Sequence, residues 1–238
     1  MKNRVQTFII RYGNEIEFHK LPQLRSGILK AMHYNADVLF HNHTSESTLR
    51  YAYPLIQYKR IGGKAAIVCM NDGVNVIGEF LSRGSMDIEL EGTTTTLRLE
   101  NAIPRITTTQ VWEDAVFRYN IRRWLPLNKE NYVKYCSIES YIERIAFLEK
   151  ILTANILSFC KGANINLERN IKCSIVDLSE PRLLRFKNTK LMAFDALFSC
   201  NITLPDYIGI GRHVSVGFGT VVQERKTKTT IANTQTSI

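Results

Sequence analysis

Three of the five histidines lie between residues 33 and 43, and the segment Leu39-Phe40-His41-Asn42-His43 runs toward Tyr51 and Tyr53. Imidazole is the side chain whose charge changes near neutral pH, so this cluster is the first place where chemistry is expected. On an extended segment His41 and His43 share a face and could supply two metal ligands. A third ligand would have to come from far away, and no carboxylate–histidine cluster presents itself. A histidine near tyrosine and lysine, without paired acids, suits metal-free general acid–base catalysis instead. The plain alternative is a solvated, histidine-bearing loop.

The second candidate is a glycine segment, Leu204–Val222, reading LPDYIGIGRHVSVGFGTVV. Gly209, Gly211, Gly217 and Gly219 surround Arg212 and His213 and lead into the β-rich Thr220-Val221-Val222. Glycine lets backbone N–H groups approach a ligand, and oriented N–H groups form anion-binding nests. A dinucleotide fingerprint starting at Gly209 would need glycine where Val214 stands, and a phosphate-binding P-loop would need Lys-Ser/Thr after its last glycine. Neither motif is present. The segment is a candidate clamp for a phosphate backbone, or else a hairpin that only turns the chain.

The whole chain narrows these choices. Its 238 residues suffice for one large domain or two smaller ones, with 45% hydrophobic and 22% charged residues. A net charge of +9 favours an anionic partner, nucleic acid first and a membrane surface second. The basic residues are spread along the chain, which points to a folded basic surface rather than a basic arm. No signal peptide and no apolar run long enough to span a bilayer are read, so a cytoplasmic location without membrane association is expected. The five cysteines (Cys69, Cys136, Cys160, Cys173, Cys200) are odd in number and lack a CxxC pair, and read as reduced, mostly buried thiols.

The elements that would position the candidates alternate in type. Residues 4–12 read as a strand, 21–33 as a helix through Leu21, Leu24, Ile28 and Met32, and 53–61 and 64–70 as a hairpin about Gly62-Gly63. Asn71-Asp72 caps a short helix through Val74, Ile77 and Leu81, and two strands follow across 86–100. This is the β-α-β-β-α-β order of a ferredoxin-like unit. After a split near 101–109, a strand is expected at 110–121 and a long helix at 137–162. That helix would be capped by Ser137, carry one apolar stripe from Ile138, Tyr141 and Ile142 to Ile156, and end at Gly162. A strand at 170–178, a strand pair across 183–203 and the glycine segment complete a second unit. The expected division is 1–104, 105–223 and a disordered polar tail, 224–238.

The HNH segment followed by Tyr53–Lys59, the Glu149–Gly162 segment and LPDYIGIG…SVGFGTV together resemble the CRISPR-associated endoribonucleases that process precursor CRISPR RNA. These belong to the repeat-associated mysterious protein (RAMP) superfamily, and the likeness is to its shorter, bacteroidete and archaeal-type branch. It extends over nearly the whole chain. The resemblance implies an α+β fold of two tandem ferredoxin-like, RNA-recognition-like domains, with the glycine loop near the RNA. It also implies cleavage of a repeat stem–loop by attack of the preceding 2′-OH, leaving a 2′,3′-cyclic phosphate, with no cofactor and no metal.

By the same resemblance His43 or His41 acts as general acid or base, Tyr51 or Tyr53 is the hydroxyl partner, and Lys59 faces the charged phosphorane oxygens. Gly209, Gly211, Arg212, His213, Ser215, Gly217, Phe218 and Gly219 would contact RNA. The family's loop commonly reads Ser-Arg-Gly-Phe-Gly, whereas Val216 follows Ser215 here, which leaves Arg212 and His213 as the loop's cations. The expected partner is CRISPR repeat RNA, with further effector subunits and a homodimer left open. A catalytically silent RNA-binding subunit of a CRISPR effector complex is the alternative from another class.

Overall fold

β1 (Arg4–Glu15) buries Val5, Thr7 and Ile9 on one face and Ile10 and Tyr12 on the other. Successive side chains point to opposite faces, so this strand is covered on both sides. The computed structural model describes residues 3–31, 53–82 and 86–225. α1 (Leu21–Ala31) buries Leu21, Leu24 and Ile28, the residues spaced for one helical face. β2 (Ile56–Ile61) and β3 (Lys64–Met70) form the hairpin about Gly62-Gly63, both of which have positive φ. α2 (Asp72–Leu81) follows, then a separate hairpin of β4 (Asp87–Leu90) and β5 (Thr93–Thr96), and finally β6 (Leu99–Thr108).

The first sheet has the antiparallel order β2-β3-β1-β6. Counting β6 as the fourth strand, this is the ferredoxin-like arrangement with the β4–β5 hairpin inserted. One expectation is corrected. Residues 101–108, read as connection, belong to the fourth strand, and β1 pairs along them as far as Arg4 opposite Thr108. An edge strand exposes one row of side chains and tolerates Pro104, so its sequence reads as polar connection.

The second half contains β7 (Phe117–Trp124), α3 (Lys129–Ser137), α4 (Tyr141–Gly162), β8 (Cys173–Leu178), β9 (Arg182–Phe186), β10 (Thr189–Cys200) and β11 (Thr220–Gln223). Its sheet order, β11-β7-β10-β8, repeats the first topology, with β9 folded back on β10 as a hairpin. The position between third and fourth strands, where a ferredoxin-like unit carries its second helix, is taken here by the glycine segment and one 3-10 turn, Val214–Val216.

Three further corrections fall in this half. The strand expected at 110–121 begins only at Phe117; before it, Val111 makes an isolated bridge to Ile202. Ser137 ends α3 rather than capping the long helix, and Ser140 is the cap, its hydroxyl accepting the Glu143 N–H at 3.4 Å. The apolar stripe also starts later than expected. Tyr141 and Ile142 are 65% and 78% exposed, while Leu148, Ile151, Leu152, Ile156 and Phe159 are buried.

The two halves share their cores. Val5 and Met70 pack with the α4 cluster, and Leu125, Ala193, Val216 and Phe218 pack with the cluster around α1. All five cysteines are free thiols, and Cys136 is exposed. Among the described residues no helix is long and apolar enough to cross a membrane.

Candidate functional site

β2 and the segment just before it present Tyr53, Gln57 and Lys59 to the glycine segment of the other half. The Tyr53 hydroxyl donates to the Gly209 carbonyl at 2.7 Å, and the Gly209 N–H donates to Gln57 Oε1 at 2.9 Å. Lys59 Nζ donates to the Val214 carbonyl at 3.3 Å and to Thr220 Oγ1 at 3.2 Å. Gln57 and Lys59 lie two residues apart and so share one face of the strand. Both are fully buried.

Burial costs an ammonium its hydration, and among the described residues no carboxylate pairs with Lys59 to offset the loss. Its pKa is accordingly pushed down to about 7. Burial also pushes the Tyr53 hydroxyl up, against hydrogen bonds to Gln57 and Gly209 that pull it down. Lys59, expected at the phosphorane oxygens, thus has its ammonium under the loop, and the Tyr53 hydroxyl is engaged by Gly209.

The loop is held as tightly from its other sides. Gly219 has φ +60, and a Cβ there would overlap the Ile210 carbonyl oxygen. Gly217 has φ +92, and a Cβ would run into Leu21 and Phe18 at the start of α1. The Gly217 N–H donates to Val214 O, and the Gly219 N–H to Arg123 O. With the Gly209 N–H on Gln57, three of the four glycine amides are therefore engaged inside the protein. The expected backbone nest loses those donors, and the glycines serve close approach instead. Arg212 donates to the Leu127 carbonyl at 2.7 Å and packs with His213 at the loop's outer side.

A groove of about 780 Å³ opens between the halves. The first half contributes Phe18, His19 and Arg60, and the second contributes Arg123, Arg185, Phe186, Lys187 and the loop residue Phe218. A second cavity of about 400 Å³ adjoins it, with Arg25, Arg212, His213 and Ser215 in its wall. Apart from Glu17 in the groove, the acidic and basic residues in both walls are all basic. His213 is held below its usual pKa by burial and then by the charges of Arg212 and Lys187, which favours neutral imidazole. Arg123 is likewise lowered by burial, and its guanidinium lies 4.2 Å from the Phe18 ring centre.

The structure thus brings Tyr53, Lys59 and the glycine segment together. His41, His43 and Tyr51 lie outside the described residues, as does the tail from residue 226. The groove cations Arg60, Arg123, Arg185 and Lys187 were missed in the sequence. For two of them a signal existed: Arg182, Arg185, Lys187 and Lys190 interleave with Phe186 in one short stretch, a pattern that suits nucleic acid. Among the described residues no cluster of three or more metal-ligating side chains occurs.

The fold is thus two ferredoxin-like units in tandem, with a largely basic groove between them and the glycine segment beside it. The Cas6b N-terminal domain family matches residues 3–107 and the Cas6b C-terminal domain family matches residues 111–224. The chain belongs to the Cas6b family.

Its similarity to solved structures runs over the whole fold. A crystal structure of Cas6b superposes with a TM-score of 0.83 at 27% identity, covering 93% of this chain and 100% of the other. A second, described as the CRISPR RNA processing endoribonuclease Cas6b, gives 0.70 at 27% identity with the same coverage. The type IV Cas6 crRNA endonuclease Csf5 shares the fold, with a TM-score of 0.54 at 11% identity over 93% of this chain and all of Csf5. Among curated proteins, the uncharacterized protein MJ0978 of Methanocaldococcus jannaschii is 36% identical over 103 residues, which are 43% of this chain and 69% of that protein.

Proposed function

We propose that this protein is an endoribonuclease that processes CRISPR RNA, cleaving the repeat without a metal ion. In this reading the 2′-OH preceding the scissile phosphate is the nucleophile, and the products end in a 2′,3′-cyclic phosphate and a 5′-OH. His43 or His41 removes or supplies the proton, with Tyr51 as hydroxyl partner. Family membership supports the reaction class. The observation that carries the assignment of the site is the 2.7 Å hydrogen bond from Tyr53 to Gly209. It fastens the chain just after the histidine segment to the glycine loop and its basic groove.

Within this proposal Tyr53 and Lys59 are positioning residues. Their polar groups grip the loop, so they set its place relative to the histidine segment instead of touching the phosphate. Phosphate contacts fall to the exposed cations Arg60, Arg185 and Lys187 and to Arg212, which fix register without reading sequence.

The test is incubation with a labelled repeat RNA in EDTA, followed by identification of the product ends. Cleavage in EDTA with a cyclic phosphate end is expected, and a 2′-deoxy substitution just upstream of the cut should abolish it. Cleavage that requires a divalent ion, or that survives the deoxy substitution, would overturn the mechanism. A protein that binds repeat RNA and never cuts it would be the silent effector subunit instead.

A further inference from the structure

The tip of the β9–β10 hairpin separates the two cavities, and Phe186 and Lys187 lie in the wall of both. Phe186 is only half-buried. Its ring is 4.5 Å from the His213 ring and 5.5 Å from Phe218, which it meets edge-on. Phe218 in turn meets half-buried Phe18 edge-on at 4.9 Å. One buried ring, Phe218, therefore holds two partly exposed aromatic rings at the groove. Phe18 and Phe186 pack on one side against the buried cluster around α1, with the Arg123 guanidinium 4.2 Å from the Phe18 ring centre, and both remain part of the groove wall.

The charges around them are equally directed. Arg60, Arg185 and Lys187 are exposed and line the same cavity. Neither Arg185 nor Lys187 forms an ion pair among the described residues, whereas Arg122 and Arg182 nearby are both paired with Asp195. Unpaired cations beside aromatic rings match a ligand that carries both negative charge and a π face. The cavity volume lies within the roughly 300–1,000 Å³ usual for small-ligand sites.

We propose that Phe18 and Phe186, with Arg60, Arg185 and Lys187, form a subsite for one unpaired nucleotide of the RNA, its base against the aromatic rings and its phosphates on the cations. This rests on the RNA-processing reading above and adds a place for a base outside the stem. In a helical stem the base faces are already covered by stacking, so an aromatic side chain can engage only a base that is unstacked. The subsite is sequence-tolerant, because every base has a π face.

The experiment compares two labelled single strands of about eight nucleotides, within the site sizes such grooves hold: an intact RNA and an abasic strand of equal charge. Affinities are read by fluorescence anisotropy. The wild-type protein should prefer the intact strand by roughly 5- to 150-fold, the equivalent of about 1–3 kcal/mol per stacked base. Phe186→Leu keeps apolar bulk and removes one of the two π faces, so it should reduce the preference at least several-fold, and Phe18→Leu/Phe186→Leu together should erase it. Phe186→Tyr should retain it, and Lys187→Ala should weaken both strands alike. Equal wild-type affinity for the two strands, a preference undiminished in the double variant, or failure to bind either strand would overturn the subsite. The RNA-processing reading is decided separately, by the cleavage of repeat RNA described above.

Discussion

The Lys59 ammonium donates to the Val214 carbonyl from a fully buried position on β2, across the junction between the two halves of the chain. Among the described residues no carboxylate compensates its charge. The folded protein therefore holds this proton less tightly than the unfolded chain does, with a pKa of about 7 against the ordinary 10.5.

Stability should follow that difference. Below pH 7 both states are protonated and Lys59 adds no pH dependence. Between pH 7 and 10.5 the folded state has released the proton while the unfolded state still binds it, so stability rises with pH. The slope is at most about 1.4 kcal/mol per pH unit. Urea unfolding of wild type and Lys59→Met from pH 6 upward, differenced at each pH, isolates this group. A difference that stays flat across the window would mean that Lys59 keeps its ordinary pKa.

Gly219→Ala should destabilise without changing surface chemistry. Its positive φ and the overlap with Ile210 O both oppose a side chain. A backbone strained in this way costs on the order of 1–3 kcal/mol. For a chain of this size that lowers Tm by at least about 2–4 °C. An unchanged Tm would show that the loop rearranges freely.

The histidine segment should carry the rate. His43→Ala or His41→Ala should slow repeat cleavage by about 10²- to 10⁴-fold, the usual contribution of a general acid or base. RNA affinity should stay within a few-fold. Full activity in the double variant would move the acid–base group elsewhere; among the described histidines His19 lines the groove and His213 the cavity beside it.

RNA affinity should also fall with salt. Each phosphate contact is worth roughly 0.7 to 0.9 log units per tenfold rise in salt. Arg185→Ala should reduce that slope by about one contact and weaken all sequences alike. A slope unaffected by Arg185→Ala would place this cation away from the backbone path.

Most of the fold was legible because period and turn chemistry are local. The β2–β3 hairpin about Gly62-Gly63 and the helix face Leu21, Leu24, Ile28 follow from side-chain spacing alone. β6 escaped because an edge strand buries little and can carry a proline, so its residues resemble a connection. α3 escaped because Tyr135 is the only residue it buries, which leaves no apolar stripe to read.

Two signatures, at residues 39–59 and 204–222, were legible in the sequence; that Tyr53, Gln57 and Lys59 of the first meet the second was not. A lysine in sequence looks like a surface charge. Only tertiary placement shows that Lys59 is enclosed by a loop more than 150 residues further on. Arg60 and Arg123 were equally invisible, since nothing local joins them into one wall.

The glycine segment occupies the place of the second unit's missing helix, and its supports, Tyr53, Gln57, Lys59, Leu21 and Phe18, come from the first unit. A unit whose roof is propped by its neighbour has no complete core of its own. The topological duplication therefore does not yield two autonomous foldons: the halves should melt in a single transition, and residues 111–224 expressed alone should lack a cooperative one.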